Sequence, residues 1–313
     1  MRIFKDWRGL PEDARGATVA LGNFDGVHLG HAHVLRAAHR ARPKVPLAVL
    51  TFEPHPREVF RPDDQPFRLT LPPARADALA LFGVQTTYEL PFDCAFSEMS
   101  AETFFTEILY RGIGARHLVC GPDFAFGHRR GGDTRFLAAR AEAVGIGLTV
   151  VTPFADDAGP ISSSRVRRAL RDGYPERAAL MLGRHWTIRA TVGHGDKRGR
   201  TIGFPTVNLP LGRHLEPARG VYAVIATLPD GRRLRGVANI GRRPTVHATP
   251  ESLLEVNLFD FTGTLYGEEL EVTLFAFLRP ERRFAGIDAL RAQIAADAAE
   301  ARRVLDLAVP PSA

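Results

Sequence analysis

The hydrophobic pattern changes once along the chain, near Gly183, and no other feature of the sequence constrains the fold as much. From Thr18 to about Leu182, short apolar runs alternate with segments of helical composition. Such alternation is typical of a parallel, doubly wound α/β sheet, which binds ligands at the carboxyl ends of its strands. The pattern therefore predicts a first, α/β domain over residues 1–183.

After this point the pattern becomes that of antiparallel strands. Strand-like runs follow one another from Ile188 to about Leu278, separated by turn signals such as Pro229-Asp230-Gly231. We expect a second domain over residues 184–313, a small antiparallel β-barrel that ends in an amphipathic helix. The predicted strands cover residues 18–21, 46–52, 85–90, 117–120, 148–151, 221–228, 234–240, 254–261 and 270–278, and the predicted helices cover 74–82, 100–112, 134–144 and 287–307.

The composition excludes some classes of protein and leaves others open. The 313 residues are 45% hydrophobic and 24% charged, which is ordinary for a globular chain. The chain has no apolar run of membrane-spanning length and no signal-peptide core, so we expect a cytoplasmic protein with no membrane partner. Cys94 and Cys120 are isolated and predict neither a disulfide framework nor a zinc knuckle. The net charge of +6 suits nucleic acid and small phosphorylated ligands equally.

The first predicted strand runs through a glycine-bearing loop into a helix start, over residues 21–31. Such a junction directs backbone N–H groups and the positive end of a helix dipole at one place, where an anion can bind. His28 and His31 are three positions apart and can face that place. They could be a zinc pair, although a convincing third ligand is lacking, or structural residues at the helix start. The predicted phosphate site favours a third interpretation, in which the two histidines are catalytic groups that contact phosphate.

Two further stretches could bind phosphate. Ser162-Ser163-Ser164 precedes a basic helix, where it could simply cap the helix or could join Arg167 in binding a triphosphate. The stretch Gly193–Asn208 mixes glycines with basic residues but contains no Walker A pattern, so an exposed turn is the alternative. On a strand, Thr206 and Asn208 would face the same side and could present oxygens to Mg²⁺.

Two other features carry weaker signals. Glu255 lies within an otherwise apolar strand, where we expect an inward carboxylate that is either a paired structural charge or a functional base. The loop at residues 123–133 follows a strand at the expected ligand edge, although its composition alone favours a solvated loop.

Several motifs together resemble one family. Gly22–His31 resembles the H-x-G-H signature of the nucleotidylyltransferase superfamily, and its fuller G-x-F-D-G-x-H-x-G-H form resembles the adenylyltransferase module of prokaryotic bifunctional riboflavin kinase/FAD synthetases. Pro205–Asn208 resembles the P-T-A-N motif of riboflavin kinases, with Val207 in place of Ala. Four other segments also match the family: residues 51–56, 121–127, 161–167 and 239–245.

The resemblance implies two activities on a Rossmann-like nucleotidylyltransferase domain and a kinase barrel. The barrel would phosphorylate riboflavin with ATP, and the first domain would adenylylate FMN to FAD with release of pyrophosphate. The resemblance also implies that His28, His31 and Glu255 are catalytic residues and that Thr206 and Asn208 are ligands of Mg²⁺. The implied nucleotide-binding residues are Gly22, Phe24, Asp25, Gly26, Gly30, Ser163, Ser164, Arg167, Gly195, Lys197, Gly203, Thr206 and Asn208, and the implied flavin-binding residues are Asp123 and Phe126. Ser164 stands where the family has Thr, and Asp123 where it can have Asn.

Two other functions remain to be weighed. One is an H-x-G-H adenylyltransferase with a non-flavin acceptor and an inert barrel, which the intact set of Thr206, Asn208 and Glu255 argues against. The other is a nucleic-acid-binding module, which predicts strand faces that carry aromatic and basic residues together. Few exposed aromatics are expected on the barrel strands, so we expect small-molecule substrates (riboflavin, FMN and ATP) and no nucleic acid. The sequence does not predict an oligomeric state.

Overall fold

The computed structural model describes residues 1–193, 204–243 and 251–308. Two units divide the chain: Met1–Gln65 with Thr70–Ser162, and Pro66–Leu69 with Ser163–Ala313. The contacts thus group the two helices before residue 183 with the second unit. The domain boundary at residue 183 stays a prediction.

Six parallel strands form the sheet of the first unit. Their spatial order is β1 (Arg2–Phe4), β4 (Thr86–Leu90), β3 (Leu47–Phe52), β2 (Thr18–Leu21), β5 (His117–Cys120) and β6 (Gly147–Val150). The chain proceeds from β2 to β3 and β4 on one side and then returns to β5 on the other. The loops after β2 and β5 therefore flank a topological switch point, where open α/β sheets bind ligands.

Helices cover both faces of this sheet. They are α1 (Leu29–Ala41), α2 (Pro56–Phe60), α3 (Pro72–Ala80), α4 (Cys94–Ser97), α5 (Ala101–Thr103), which continues as a π-helix over Phe104–Gly112, and α6 (Thr134–Ala143). One buried cluster contains Phe104, Ile108 and Leu137, and the other contains Leu35 and Leu79. A short hairpin follows the sheet, formed by β7 (Ala155–Asp156) and β8 (Gly159–Pro160).

The second unit is a near-closed antiparallel barrel preceded by two helices. The helices are α7 (Ser163–Arg171) and α8 (Pro175–Leu182), and the barrel order is β10 (Val207–Pro210), β13 (Glu251–Leu258), β12 (Arg233–Arg243), β11 (Gly220–Thr227), β14 (Glu269–Pro280) and β9 (Thr187–Thr191). Gly193 donates its backbone N–H to the carbonyl of Asn208 over 2.8 Å, which joins the ends of β9 and β10. The predicted fold class, a parallel α/β unit followed by an antiparallel barrel, is confirmed.

Side-chain alternation gives the barrel two distinct faces. Tyr222, Ile240 and Leu254 are fully buried on the inner face. On the outer face, Val221, Ala223 and Ile225 lie in a cluster with Ala301 and Leu305 of the final helix. That helix, α9 (Ile287–Ala308), covers part of the outer face as its amphipathic pattern predicted.

The structure differs from the predicted elements mainly in its short segments. The strand β1 and the helices α2 and α8 were not predicted, because three to eight residues are too few to show a hydrophobic period. The predicted helix at 100–112 is capped by Ser100 as expected but widens to π spacing, with the N–H of Ile113 bonded to the carbonyl of Ile108. The predicted hairpin at Pro229-Asp230-Gly231 is confirmed, with Gly231 at φ +85°. No helix of the described residues is long and apolar enough to cross a membrane.

The carboxylate of Glu216 joins three parts of the barrel. It accepts hydrogen bonds from Ser252 at the start of β13, from Arg242 on β12 and from Arg219 beside β11. Burial raises its pKa, but these three donors outweigh burial and hold the pKa below its usual 4.5. The ionised carboxylate therefore stabilises the barrel.

We expect Glu216→Gln to lower the free energy of unfolding of the barrel by about 1–3 kcal/mol at pH 7, the usual range for hydrogen bonds to a charged group. Because folding lowers the pKa of Glu216, its contribution is present above the unfolded value of 4.5 and disappears as the pH falls through the folded pKa. The difference between the variant and the parent should therefore shrink below about pH 4.5.

Denaturant unfolding can measure this loss through the fluorescence of Trp186, in a Trp7→Phe background that leaves Trp186 as the single tryptophan. Glu300→Gln is the matched control, because Glu300 also pairs with an arginine but is exposed to solvent. A pH-independent loss in Glu216→Gln would contradict the assignment.

Candidate active sites

The loop between β2 and α1 has an unusual backbone. Phe24, Gly26 and Val27 all have positive φ, at +50°, +87° and +42°. Positive φ values are energetically costly for a residue with a side chain, and especially for the β-branched Val27. Backbone strain of this kind concentrates at functional sites. The loop therefore has a conformation that its surroundings must maintain.

His28 and His31 cap helix α1 reciprocally. The N–H of His31 donates to Nδ1 of His28, and the N–H of His28 donates to Nδ1 of His31, both over 3.3 Å. The two rings stack with their centroids 3.7 Å apart. Since each Nδ1 accepts a hydrogen bond, the neutral rings carry their hydrogen on Nε2. Capping and phosphate binding are therefore compatible, because they use different ring nitrogens.

Gly30 lies between the two histidines in a space that admits no side chain. A Cβ atom at this position would lie 2.9 Å from the carbonyl oxygen of Ile161 and 3.0 Å from the ring of His28. Only glycine lets the first turn of α1 approach both groups. The glycine of the H-x-G-H motif is thus required by packing as well as by its place in the loop.

Asp25 holds the loop through buried hydrogen bonds. Its Oδ1 accepts from the backbone N–H of Thr70 over 3.0 Å, and the hydroxyl of Thr70 accepts from the N–H of Gly26, also over 3.0 Å. Asp25 is 1% exposed. These contacts give Asp25 a structural task, and its assignment to the nucleotide stays a prediction, as it does for Gly22 and Phe24.

A buried arginine joins the ends of three strands behind this loop. Arg75 is 1% exposed and donates to Glu89 on β4 over 2.7 Å and to Glu53 after β3 over 3.2 Å. It also lies 3.4 Å from the carbonyl oxygen of Asn23 and 3.5 Å from that of Phe52. One guanidinium thus satisfies carboxylates and carbonyls at the carboxyl edge of the sheet, where a charge could not be buried without partners.

Aromatic rings extend along the same edge of the sheet. The rings of Phe52, Phe92 and Phe96 lie 5.4–5.5 Å apart, and Phe60, which is 64% exposed, lies 5.5 Å from Phe92. The pattern analysis did not single out these residues, because isolated phenylalanines in short loops carry no periodic signal. Their convergence is visible only in the fold.

The two residues expected near a flavin differ in their surroundings. Asp123 is exposed at the start of the loop after β5. Phe126 is 7% exposed and packs between Phe104 and Phe124, at 5.2 and 5.5 Å. Phe126 therefore belongs to the core of the aromatic cluster, and flavin contact by either residue stays a prediction.

Helix α7 carries the predicted triphosphate residues. The helix begins at Ser163, so Ser163 and Ser164 lie in its first turn. Arg167 donates through Nε to the carbonyl of Phe67 over 2.9 Å and lies 5.1 Å above the ring of Phe67. All three residues belong to the second unit, whereas His28 and His31 belong to the first. Their binding of nucleotide stays a prediction.

In the barrel, strand register brings together two of the predicted kinase residues, Asn208 and Glu255. Asn208 on β10 pairs with Glu255 on β13, which pairs with Asn239 on β12. The same row continues to Val221 on β11, so these side chains lie on the outer face. The expectation of an inward Glu255 is therefore wrong, because its neighbours Leu254 and Val256 take the buried positions and alternation places Glu255 on the opposite face. Gly195, Lys197 and Gly203 lie outside the described residues, as do residues 244–245 of the matched segment.

The residues predicted to form the kinase site carry oxygen ligands of the kind that Mg²⁺ prefers. Asn208 supplies a carboxamide on the strand position opposite Glu255, and Thr206, which carries a hydroxyl, lies just before the start of β10. In the described part of the chain, no three His, Cys, Asp or Glu side chains are grouped to hold a metal ion. This set fits Mg²⁺, which commonly takes few protein oxygens and relies on substrate phosphates for the rest.

The chain matches two family models. The model described as FAD synthetase matches residues 10–165, and the one described as riboflavin kinase matches residues 182–305. Both models agree with the order of the two folds.

Similar proteins cover nearly the whole chain. A bifunctional riboflavin kinase/FMN adenylyltransferase of Escherichia coli K12 is 40% identical over 94% of this chain and 95% of its own length. One from Bacillus subtilis is 37% identical, over 94% of each chain. A crystal structure described as a macrolide-efflux protein from Streptococcus pneumoniae has a TM-score of 0.84 and 33% identity, over 96% of this chain and 98% of that one.

These similarities distinguish between the functions that the sequence left open. A nucleic-acid-binding module leaves both matched models unexplained, and an adenylyltransferase with an inert barrel leaves the riboflavin kinase model unexplained. The chain belongs to the bifunctional riboflavin kinase/FMN adenylyltransferase family.

Proposed function

We propose that His28 and His31 catalyse the adenylyl transfer by which this chain converts FMN to FAD. A phosphate oxygen of FMN attacks the α-phosphorus of ATP, the bond to the β-phosphate breaks, and pyrophosphate leaves. The observation that supports this is the reciprocal cap, which fixes Nε2–H as the donor of both neutral rings. No covalent enzyme intermediate is needed, because positioning and charge stabilisation suffice for such a displacement.

The position of the two rings suits the charge that develops in this reaction. They stand at the start of the 13-residue helix α1, where the helix dipole is positive and backbone N–H groups are available. Two Nε2–H donors at this end would stabilise negative charge on the α-phosphate. Each such donor commonly contributes about 10²–10³ in rate.

The aromatic edge of the first unit is the proposed place for the flavin ring. Phe60 is exposed and is backed by Phe92, so a flat apolar ring could stack on it without displacing the core. Phe126 would support this surface from beneath, and Asp123 would lie at its polar border. Offset stacking of this kind contributes about 0.5–1.5 kcal/mol beyond the area buried.

For the kinase step, Glu255 is the proposed base. It would accept the proton of the 5′-hydroxyl of riboflavin while that oxygen attacks the γ-phosphorus of ATP and ADP leaves. Thr206 and Asn208 would hold Mg²⁺, which when bound neutralises charge on the phosphates. Glycine and basic residues of the neighbouring segment, among them Gly195 and Lys197, would complete the nucleotide site.

Other assignments belong to the same proposal. Ser163, Ser164 and Arg167 would bind nucleotide, as the family motif implies. Residue 183 would separate an adenylyltransferase domain from a kinase domain, and the protein would act in the cytoplasm on small-molecule substrates without nucleic acid or membrane partners.

The two proposed sites should fail separately. Glu255→Ala should lower FMN formation from riboflavin by about 10²–10⁴, the usual contribution of a general base, and should leave FAD formation from supplied FMN intact. His28→Ala and His31→Ala should do the reverse, lowering FAD formation by about 10²–10³ so that FMN accumulates. Incubation with riboflavin and Mg·ATP, with the flavins separated over time, measures both steps. Loss of both activities in either set would contradict independent sites.

Gly30→Ala should impair adenylyl transfer without touching a catalytic atom. The new Cβ must displace the ring of His28 or the chain at Ile161, and small misplacements of catalytic groups cost up to about 10²-fold in rate. Gly286→Ala is the matched control, because a Cβ there meets nothing within 4 Å. We expect the rate of FAD formation to fall in Gly30→Ala alone, with the kinase rate retained. An unchanged rate of FAD formation in Gly30→Ala would show that the first turn of α1 has room for a side chain at this position.

Phe60→Ala should weaken FMN binding at the first site. We expect the KM for FMN in adenylyl transfer to rise by about 3- to 10-fold, which corresponds to the loss of one stacking contact. The KM for riboflavin in the kinase step should not change. Leu81→Ala removes a comparably exposed apolar side chain of the same unit and is the control. Equal KM values in all three proteins would exclude Phe60 from the flavin site.

A further inference from the structure

Asn257 makes a hydrogen bond that regular strand pairing does not require. Its Nδ2 donates to the backbone carbonyl of Pro205 over 2.8 Å. Pro205 immediately precedes Thr206, and Asn257 lies two residues beyond Glu255 on β13. One side chain therefore links the strand of the proposed base to the segment of the proposed metal ligands.

Strand register shows why this bond stands where it does. Strands β10 and β13 pair from Pro210 opposite Leu253 to Val207 opposite Val256, and the next pair along would be Thr206 opposite Asn257. Regular pairing stops before that position, since β10 begins at Val207. The carboxamide of Asn257 thus extends the contact between β10 and β13 by one residue beyond the last backbone pair.

The result is that Thr206 is fixed on both sides. The preceding carbonyl is held by Asn257, and the following residue, Val207, is held in the ladder. Asn208 is fixed in turn between Glu255 on one strand and Gly193 on the other.

The chemistry of a carboxamide suits this position. A neutral N–H donor satisfies the carbonyl of Pro205 without adding charge next to Glu255. Asn257 is half-buried and on the same face of β13 as Glu255. Partners that orient metal ligands in this way commonly contribute about 10- to 100-fold in metal affinity or activity.

We propose that Asn257 is a positioning residue of the kinase site: it holds Thr206 in the geometry in which Thr206 and Asn208 together bind Mg²⁺ and the phosphates of ATP. The inference rests on the proposed function of those two residues. Asn257 itself touches neither the metal nor the substrate in this role.

Asn257→Ala and Asn257→Leu test the proposal, the second because leucine keeps the branched shape of the side chain and replaces its polar atoms by methyl groups. We expect the Mg²⁺ concentration for half-maximal kinase rate to rise by about 10- to 100-fold in both variants. Amide hydrogen exchange in the free protein, over the peptide that contains Thr206, Val207 and Asn208, should accelerate by roughly tenfold. FAD formation from FMN on the same chain should remain at the parent rate.

Gln293→Ala is the matched control, since it removes a carboxamide donor of the same unit, bonded to Asp297 over 2.8 Å, away from the Pro205 segment. It should leave both the Mg²⁺ requirement and the exchange of that segment unchanged. Equal effects in Gln293→Ala, or equal losses of kinase and FAD-forming activity in both Asn257 variants, would show a general destabilisation and overturn the proposal.

Thr206→Val separates this inference from the assignment on which it rests. If Thr206→Val raises the Mg²⁺ requirement and the Asn257 variants do not, Asn257 is not a positioning residue and the ligand assignment stands. If Thr206→Val leaves the requirement unchanged, the ligand assignment falls and the inference with it. Because Asn257 acts through Thr206, the double variant Thr206→Val, Asn257→Leu should need no more Mg²⁺ than Thr206→Val alone; additive effects would overturn the inference.

Discussion

Backbone groups that leave regular structure must still find hydrogen-bond partners, and both candidate sites of this chain are built where side chains supply those partners. At the start of α1, the rings of His28 and His31 accept the N–H groups that the helix cannot satisfy. Behind that loop, Arg75 lies near the carbonyl of Asn23 while it pairs with Glu89. In the barrel, Asn257 binds the carbonyl of Pro205 one step beyond the end of the ladder. In each place, satisfying the backbone also fixes a segment of one of the two candidate sites.

The two sites obtain their rigidity from different sources. In the first unit, a strained loop is held by buried charged and polar groups, among which Asp25 and Arg75 are almost fully inaccessible to water. In the barrel, the row of Asn208, Glu255 and Asn239 is held by strand register on three adjacent strands. The first arrangement depends on a few costly interactions, whereas the second is distributed over many backbone bonds. Removing a single side chain should therefore disturb the first site more readily than the second.

Sequence patterns predicted the larger elements well and the environments of side chains poorly. The strand at residues 117–120 was predicted from an apolar run, and the final helix from a period of 3.6 residues. A period of two over residues 254–258 does indicate that Glu255 faces away from the buried Leu254 and Val256. No such period could show that Phe126 is enclosed by other rings, because that depends on contacts distant in sequence. The contacts of Arg75, Phe60 and Asn257 could not be predicted for the same reason. The tautomer of the two histidines required the cap geometry itself.

Because of the final helix, the two halves of the chain can complete their folding at different times during synthesis. All six strands of the parallel sheet lie before residue 151, so that sheet can pair fully while the barrel is still being made. The barrel cannot bury Val221, Ala223 and Ile225 until Ala301 and Leu305 have emerged, since these residues share one cluster. The half that makes FAD is therefore complete before the half that makes its FMN, and a ribosome-bound chain exposes an apolar barrel face until its last helix arrives.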